Sequence, residues 1–411
     1  MRRLHYGWVL VIFSLVITAL AAGVAMNCFS LFIVPVCTDL GYTRAQMGFC
    51  QTINALGFML ASFFSGWLYR KVSVKRVMQV SAVLLAFFYF LYSKATALWM
   101  FYGCAVICSL SSAMLTWVPL AVILNNWFHK NRALAIGIAF MGSGIGGMVG
   151  SSVGGRLVQA LGWRATFSCF ALVFALVLIP VTLWVICEHP KDKGMKPFGY
   201  EGQTNSAQEQ ADGMLLRDAV RTRRFYGICL LLIVFGFGTN GFTATFVPHL
   251  EDSGYTPVDA AMWYSGQMLL LAVGKLCLGG LIDKIGTRKA ALLSLTLLFI
   301  ALSGLILCRI PVLLIVMLLA SSVGNCFPTV GVPLLARSVY GQKDFAAFSG
   351  MMNAVANIGS TASPFLLGLV RDFTGSYSPG YMAILGMVVL SFALVFLCVP
   401  AQNYKKRTKR A

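Results

Sequence analysis

Pro35-Val-Cys-Thr-Asp39-Leu-Gly41-Tyr42-Thr43 and Pro248-His-Leu-Glu-Asp252-Ser-Gly254-Tyr255-Thr256 lie 213 residues apart and agree at five of nine positions. The same offset sets Gly23 and Asn27 over Gly236 and Asn240, and Gly66 and Leu68 over Gly279 and Leu281. It also sets Lys130, Gly137, Gly146 and Gly162 over Lys343, Gly350, Gly359 and Gly375. One register without a gap runs through both halves, so the chain reads as a duplicated unit whose copies face the same way, a parallel repeat.

Each copy holds six apolar runs. They fall near 7–35, 45–69, 77–93, 98–124, 133–155 and 165–187, then near 225–248, 260–282, 290–308, 311–336, 345–370 and 379–400. About 20 apolar residues are enough for a helix to cross roughly 30 Å of hydrocarbon. Hydrophobic residues make up 58% of the 411 and charged residues only 11%, against about 25% charged in an ordinary globular domain. Nothing shows the sustained alternation of a membrane β-barrel. The expected fold is therefore all-α and integral to the membrane: twelve transmembrane helices in two parallel six-helix halves. The halves are expected at 1–187 and 225–400, with a cytoplasmic linker at 188–224 and a basic tail at 401–411. Within the linker, Leu215, Leu216, Ala219 and Val220 suggest a short surface helix resting on anionic lipid. The first run follows Arg2 and Arg3, exceeds a signal-peptide core in length, and is read as a retained span.

Charge gives the orientation. With both termini inside, the cytoplasmic segments hold 25 of the 32 Lys and Arg, and 8 of the 13 acids. The other face holds Arg44, Lys94, Arg156, Arg164, Arg309 and Arg371 with the remaining acids, which leaves Lys275 inside a span. This bias is the positive-inside pattern, so the net charge of +19 points to topology and anionic lipid and not to nucleic acid. The twelve cysteines show no metal-ligand spacing and read as small packing residues, and no metal or cofactor is expected. Gly142, Gly146, Gly150 and Gly154 form a ridge suited to close helix packing.

Six plus six spans around a central linker resemble the major facilitator superfamily over essentially the whole chain. Its loop motif G-x-L-x-D-R-x-G-x-R-K stands after span 8 as Gly279-Gly-Leu281-Ile-Asp283-Lys284-Ile-Gly286-Thr-Arg288-Lys289. The copy after span 2, Gly66-Trp-Leu68-Tyr-Arg70-Lys71-Val-Ser73-Val-Lys75-Arg76, lacks the Asp and the second Gly. Within the superfamily, Trp127-Phe-His-Lys130-Asn-Arg132-Ala-Leu134-Ala135-Ile-Gly137 is similar to the span-5 entry of monocarboxylate and oxalate/formate porters. The span-1 signature keeps only Gly7-Trp8. The resemblance implies halves that rock around a central site at mid-membrane.

Lys275 is the one formally charged residue placed inside a span. A cation at a span centre costs about 2.5–3.5 kcal/mol on the insertion scale, so its retention points to a role or a partner. Its position coincides with the span-8 arginine to which the resemblance assigns the substrate carboxylate; a lysine supplies a point charge there instead of a fork. The alternative is a lysine snorkelling to the headgroups. Uncharged groups expected to orient a ligand are Asn27, Asn54, Asn240, Gln267, Asn353 and Asn357, with Asn325 a further polar residue of span 10. Hydrogen bonding between packed spans is the competing use of such residues. Gly236-Phe-Gly238-Thr-Asn240-Gly241 is expected to break span 7 and expose backbone to ligand.

No acid sits inside a span, and Leu271 stands four before Lys275, where the porters tend to carry an Asp. Proton coupling through Lys275 itself and exchange of one anion for another both remain open. A membrane enzyme has no catalytic pair to work with. At the cytoplasmic face, Asp283 is expected to approach Arg132 and the start of span 5, with Arg70 towards Asp344 by the repeat; together with Arg288 these form a gate. The expected activity is secondary active transport of small mono- or dicarboxylates by alternating access, as antiporter or proton symporter, in a monomer of a bacterial inner membrane. An efflux carrier for hydrophobic compounds, with Lys275 structural, is the alternative.

Overall fold

The computed structural model describes residues 5–42, 44–199, 213–255, 257–308 and 310–400. The polar core of the linker, the basic tail, Arg2, Arg3, Thr43, Thr256 and Arg309 lie outside them. Contacts divide the chain into two units, Met1–Tyr200 and Glu201–Ala411.

Among the described residues, eight continuous helical stretches are long and apolar enough to cross a membrane. One of them, Arg132–Val185, holds two spans that meet at Gly162 (φ 79). The helices Arg44–Lys71, Pro257–Ile285 and Phe345–Thr374 bring the spans to twelve. These three carry Asn54, Gln267, Lys275, Asn353 and Asn357.

The duplicated stretch is explained by what it fastens at the ends of spans 1 and 7. In the first unit Asp39 Oδ2 accepts the Trp163 indole N–H at 3.1 Å and pairs with Arg164 at 3.7 Å. In the second, Asp252 accepts from Nε and Nη2 of Arg371, each at 3.1 Å. Gly41 (φ 72) and Gly254 (φ 100) turn the chain through the left-handed region, where a Cβ is penalised. Tyr42 then donates to the Thr96 carbonyl and Tyr255 to the Cys308 carbonyl, each at 2.8 Å. Each copy thus clasps the end of one span to a later pair of spans.

Span 1 is not a single α-helix. It runs Tyr6–Thr18, widens into a π turn over Ala19–Val24, tightens over Asn27–Phe29 and resumes over Ser30–Leu40. Such a break leaves carbonyls that hydrocarbon cannot hydrate, so they need protein donors. Tyr89 of span 3 supplies one, donating to the Ala25 carbonyl at 2.5 Å. Around it Phe29, Phe32, Tyr92 and Phe167 form a buried aromatic cluster. The glycine ridge of span 5 faces this span: a Cβ on Gly142 would collide with the Leu15 carbonyl, and one on Gly146 with the Ala19 carbonyl.

Span 7 corrects the sequence expectation. Arg223–Asp252 is one unbroken helix through Gly236, Gly238 and Gly241. The glycines serve close approach: a Cβ on Gly236 would strike the Ala356 carbonyl of span 11, and one on Gly241 would sit 2.9 Å from Leu367. The break in the second unit lies in span 10 instead. There Pro311–Gly324 gives way to a π turn at Phe327–Gly331 before Val332–Tyr340. Pro328 and Pro333 remove two backbone donors in this region and enforce the irregularity.

Among the described linker residues ahead of span 7, helix is limited to a 3-10 turn at Pro190–Lys193 and one α turn at Leu216–Ala219. The linker's described ends are tied down at repeat-equivalent loops. The Phe198 N–H donates to the Trp127 carbonyl at 2.8 Å, and the Met214 N–H to the Tyr340 carbonyl at 2.9 Å.

Candidate functional site

Lys275 sits in Pro257–Ile285 and is only 5% exposed. The neighbouring Gly274 explains how it comes to face protein: a Cβ there would collide with the Ser322 carbonyl, so spans 8 and 10 touch at this level. Cys326 lies within electrostatic reach of Lys275. Its thiol bonds to the carbonyls of Ser322 at 2.9 Å and Leu271 at 3.5 Å, which ties the unwound part of span 10 to span 8.

Gln267 occupies the same side of span 8 two turns earlier, fully buried, and neither its Nε2 nor its Oε1 has a hydrogen-bond partner in the protein. Asn325, next to Cys326, is 8% exposed, and both its amide atoms are likewise buried and unpartnered. Within the second unit, then, one cation and one neutral amide lie along span 8, and a second amide stands at the break of span 10, which touches span 8. Sequence reasoning ranked Asn325 low. The available signal was its place in Gly324-Asn-Cys-Phe-Pro328, where a helix is poised to break.

The remaining polar residues form a second group along spans 7 and 11. Asn240 donates from Nδ2 to the Ser360 carbonyl at 2.5 Å. Asn357 and Asn353 bond back to their own helix, at the Asn353 and Ser349 carbonyls respectively. In the first unit, Asn27 is exposed on the broken part of span 1, with its Nδ2 facing Gly147 of span 5. Gly147 is the repeat equivalent of Ser360, so the two repeated asparagines keep the same neighbouring position. Asn54 is half-buried on span 2, apart from these contacts.

At the loop ends, Asp283 is exposed at the last turn of span 8 and Arg70 at the last turn of span 2. Arg132 donates from Nε to the Phe128 carbonyl at 2.7 Å. The Arg288 guanidinium lies 4.9 Å over the Phe396 ring and donates to the Phe396 carbonyl at 3.3 Å. Asp344, 9% exposed, accepts the Leu216 N–H at 3.1 Å, so its carboxylate also holds the linker.

Chemically, the gathering around Lys275 can neutralise an anion and hydrogen-bond its uncharged part.

Known proteins agree with this architecture. The chain is 26% identical over 409 residues to monocarboxylate transporter 13 of Bos taurus, covering 96% of this chain and 89% of that one. It is 24% identical over 375 residues to a hexuronate transporter of Bacillus subtilis, covering 86% and 85%. Among solved structures, the proton:xylose symporter XylE matches with a TM-score of 0.76 at 12% identity, over 97% of this chain and 98% of that one. FucP in its outward conformation matches with a TM-score of 0.72 at 15% identity, over 96% and 100%. The family model described as Major Facilitator Superfamily matches residues 15–266 and 228–411. The chain is a multi-pass membrane protein that belongs to the Major Facilitator Superfamily, a family of transporters and not of enzymes.

Proposed function

We propose that the protein carries small organic anions, mono- or dicarboxylates, by alternating access, as an antiporter or proton symporter. The observation that carries this reading is Lys275, a lysine held 5% exposed within a span beside an unwound stretch of span 10. Burial of a cation in a membrane span is costly, and an anionic cargo offsets that cost in the loaded state. Two relatives whose names specify carboxylates, a monocarboxylate transporter and a hexuronate transporter, support it. The charge bias across the loops supports cytoplasmic termini, and the composition suits a bacterial inner membrane.

Counterflow tests the reading. Proteoliposomes preloaded with a carboxylate should accumulate trace labelled acid with the native protein and not with Lys275→Gln. Movement of lipophilic compounds indifferent to Lys275 would favour an efflux carrier instead. The proposal includes a cytoplasmic gate built from Asp283, Arg288, Arg132, Arg70 and Asp344. Asp283→Asn should raise the labelling of engineered cysteines from the cytoplasmic side, and unchanged labelling would remove the gate from the account.

A further inference from the structure

Gln267 and Asn325 have a chemistry that Lys275 alone does not use. A side-chain amide offers two N–H donors and a carbonyl oxygen that accepts. In both residues the nitrogen and the oxygen are buried without a protein partner, at 0% and 8% exposure. Buried polar groups in proteins are ordinarily hydrogen-bonded, and in a membrane-spanning helix water is not freely at hand.

The three residues are brought together by particular contacts. Gln267, Leu271 and Lys275 follow one another at helical spacing along one side of span 8. The Leu271 carbonyl, between the other two, meets the thiol of Cys326 at 3.5 Å, and Asn325 precedes that cysteine at the break in span 10. Gln267 and Lys275 are separated by about 12 Å along the helix axis at roughly 1.5 Å per residue. That separation exceeds the span of the shortest acids, so a cargo that meets both residues is an extended one.

The cargo chemistry follows from what each candidate group gives an amide. An alkyl chain gives nothing, and both amides stay unpaired. A second carboxylate only accepts, so it would engage the nitrogens and set negative oxygen against Oε1 and Oδ1. A hydroxyl donates and accepts and so completes both atoms of each amide. We propose that Gln267 and Asn325 form a hydroxyl-reading subsite beside Lys275, and that the carried anion is a hydroxylated monocarboxylate. The inference rests on the organic-anion reading above, with the carboxylate at Lys275.

The test uses the full-length protein in proteoliposomes loaded with one of three six-carbon acids, D-gluconate, hexanoate or adipate, with labelled D-gluconate outside. Gluconate-loaded vesicles should accumulate label on the order of tenfold or more above the other two, because a site built to bond hydroxyls rejects cargo lacking them. Gln267→Leu and Asn325→Leu, with Lys275 in place, should bring gluconate down to the level of hexanoate. Equal exchange with hexanoate or adipate, abolished by Lys275→Gln, would overturn the hydroxyl subsite and leave the anion carrier standing. A gluconate preference untouched by both leucine variants would also overturn the subsite. No exchange with any of the three acids would overturn the hydroxyl subsite, and the counterflow test of Lys275→Gln above decides the anion reading separately. The comparison of cargoes needs no variant, so a leucine variant that fails to fold does not shield the proposal.

Discussion

At the scale of single residues, the molecule separates groups that were visible in the sequence from groups that only the folded backbone defines. Lys275 was legible because a lone charge in an apolar run is conspicuous. Tyr89 was not, because its value depends on a carbonyl that becomes available only when span 1 departs from α geometry. Asn325 was undervalued for the same reason. Tyr89 makes a quantitative prediction. Tyr89→Phe keeps the ring in its cluster with Phe167 and Phe174 and removes only the donor to Ala25. Leaving that carbonyl unmet should cost about 1–3 kcal/mol. The variant should therefore melt at a lower temperature than the native protein in detergent, and an unchanged melting curve would mean that the break is satisfied otherwise.

At the scale of helices, glycine was the ambiguous signal. The ridge from Gly142 to Gly154 was rightly expected to pack closely, and its Cβ positions point into the Leu15 and Ala19 carbonyls and into side chains of span 1 and Phe170. The cluster from Gly236 to Gly241 was expected to break span 7 and instead admits span 11 against an unbroken helix. A glycine in a span states that no side chain is present there. It does not say whether the space goes to a neighbour's backbone or to local unwinding. The two cases differ in what a methyl group would meet. Gly146→Ala puts it against backbone, which cannot rotate away, and should cost at least about 1–3 kcal/mol as overpacking. Gly238→Ala meets only the ends of Leu298 and Ile384 at 3.2 and 3.4 Å, and gains about 1 kcal/mol of helix propensity. Size-exclusion recovery after heating should fall for the first and hold for the second. Equal losses would mean that the ridge is not specially tight.

At the scale of the whole molecule, the repeat was the most legible feature, and the structure gives it a physical cause. The conserved register between Asp39-Leu-Gly41-Tyr42 and Asp252-Ser-Gly254-Tyr255 follows from a clasp each copy needs: a carboxylate for a distant donor, a left-handed turn, and a phenol for the next loop. Twelve spans, two units and the transporter family could thus be read from the chain, while the placement of the breaks could not. Span 4 breaks at Thr116, the repeat equivalent of Thr329 in the broken part of span 10, whereas the π turn of span 1 has no counterpart in the unbroken span 7. The two copies therefore share a framework and a break at spans 4 and 10, and differ at spans 1 and 7. It is in the second copy that the cation and the unpartnered amides collect. The central claim is that this cation carries the cargo's charge. Counterflow with the native protein, Lys275→Arg and Lys275→Gln tests it most directly. The account predicts exchange of carboxylate by the native protein, exchange retained in part by the arginine variant, and none by the glutamine variant. Exchange of the same acid at the native rate with glutamine at position 275 would contradict it.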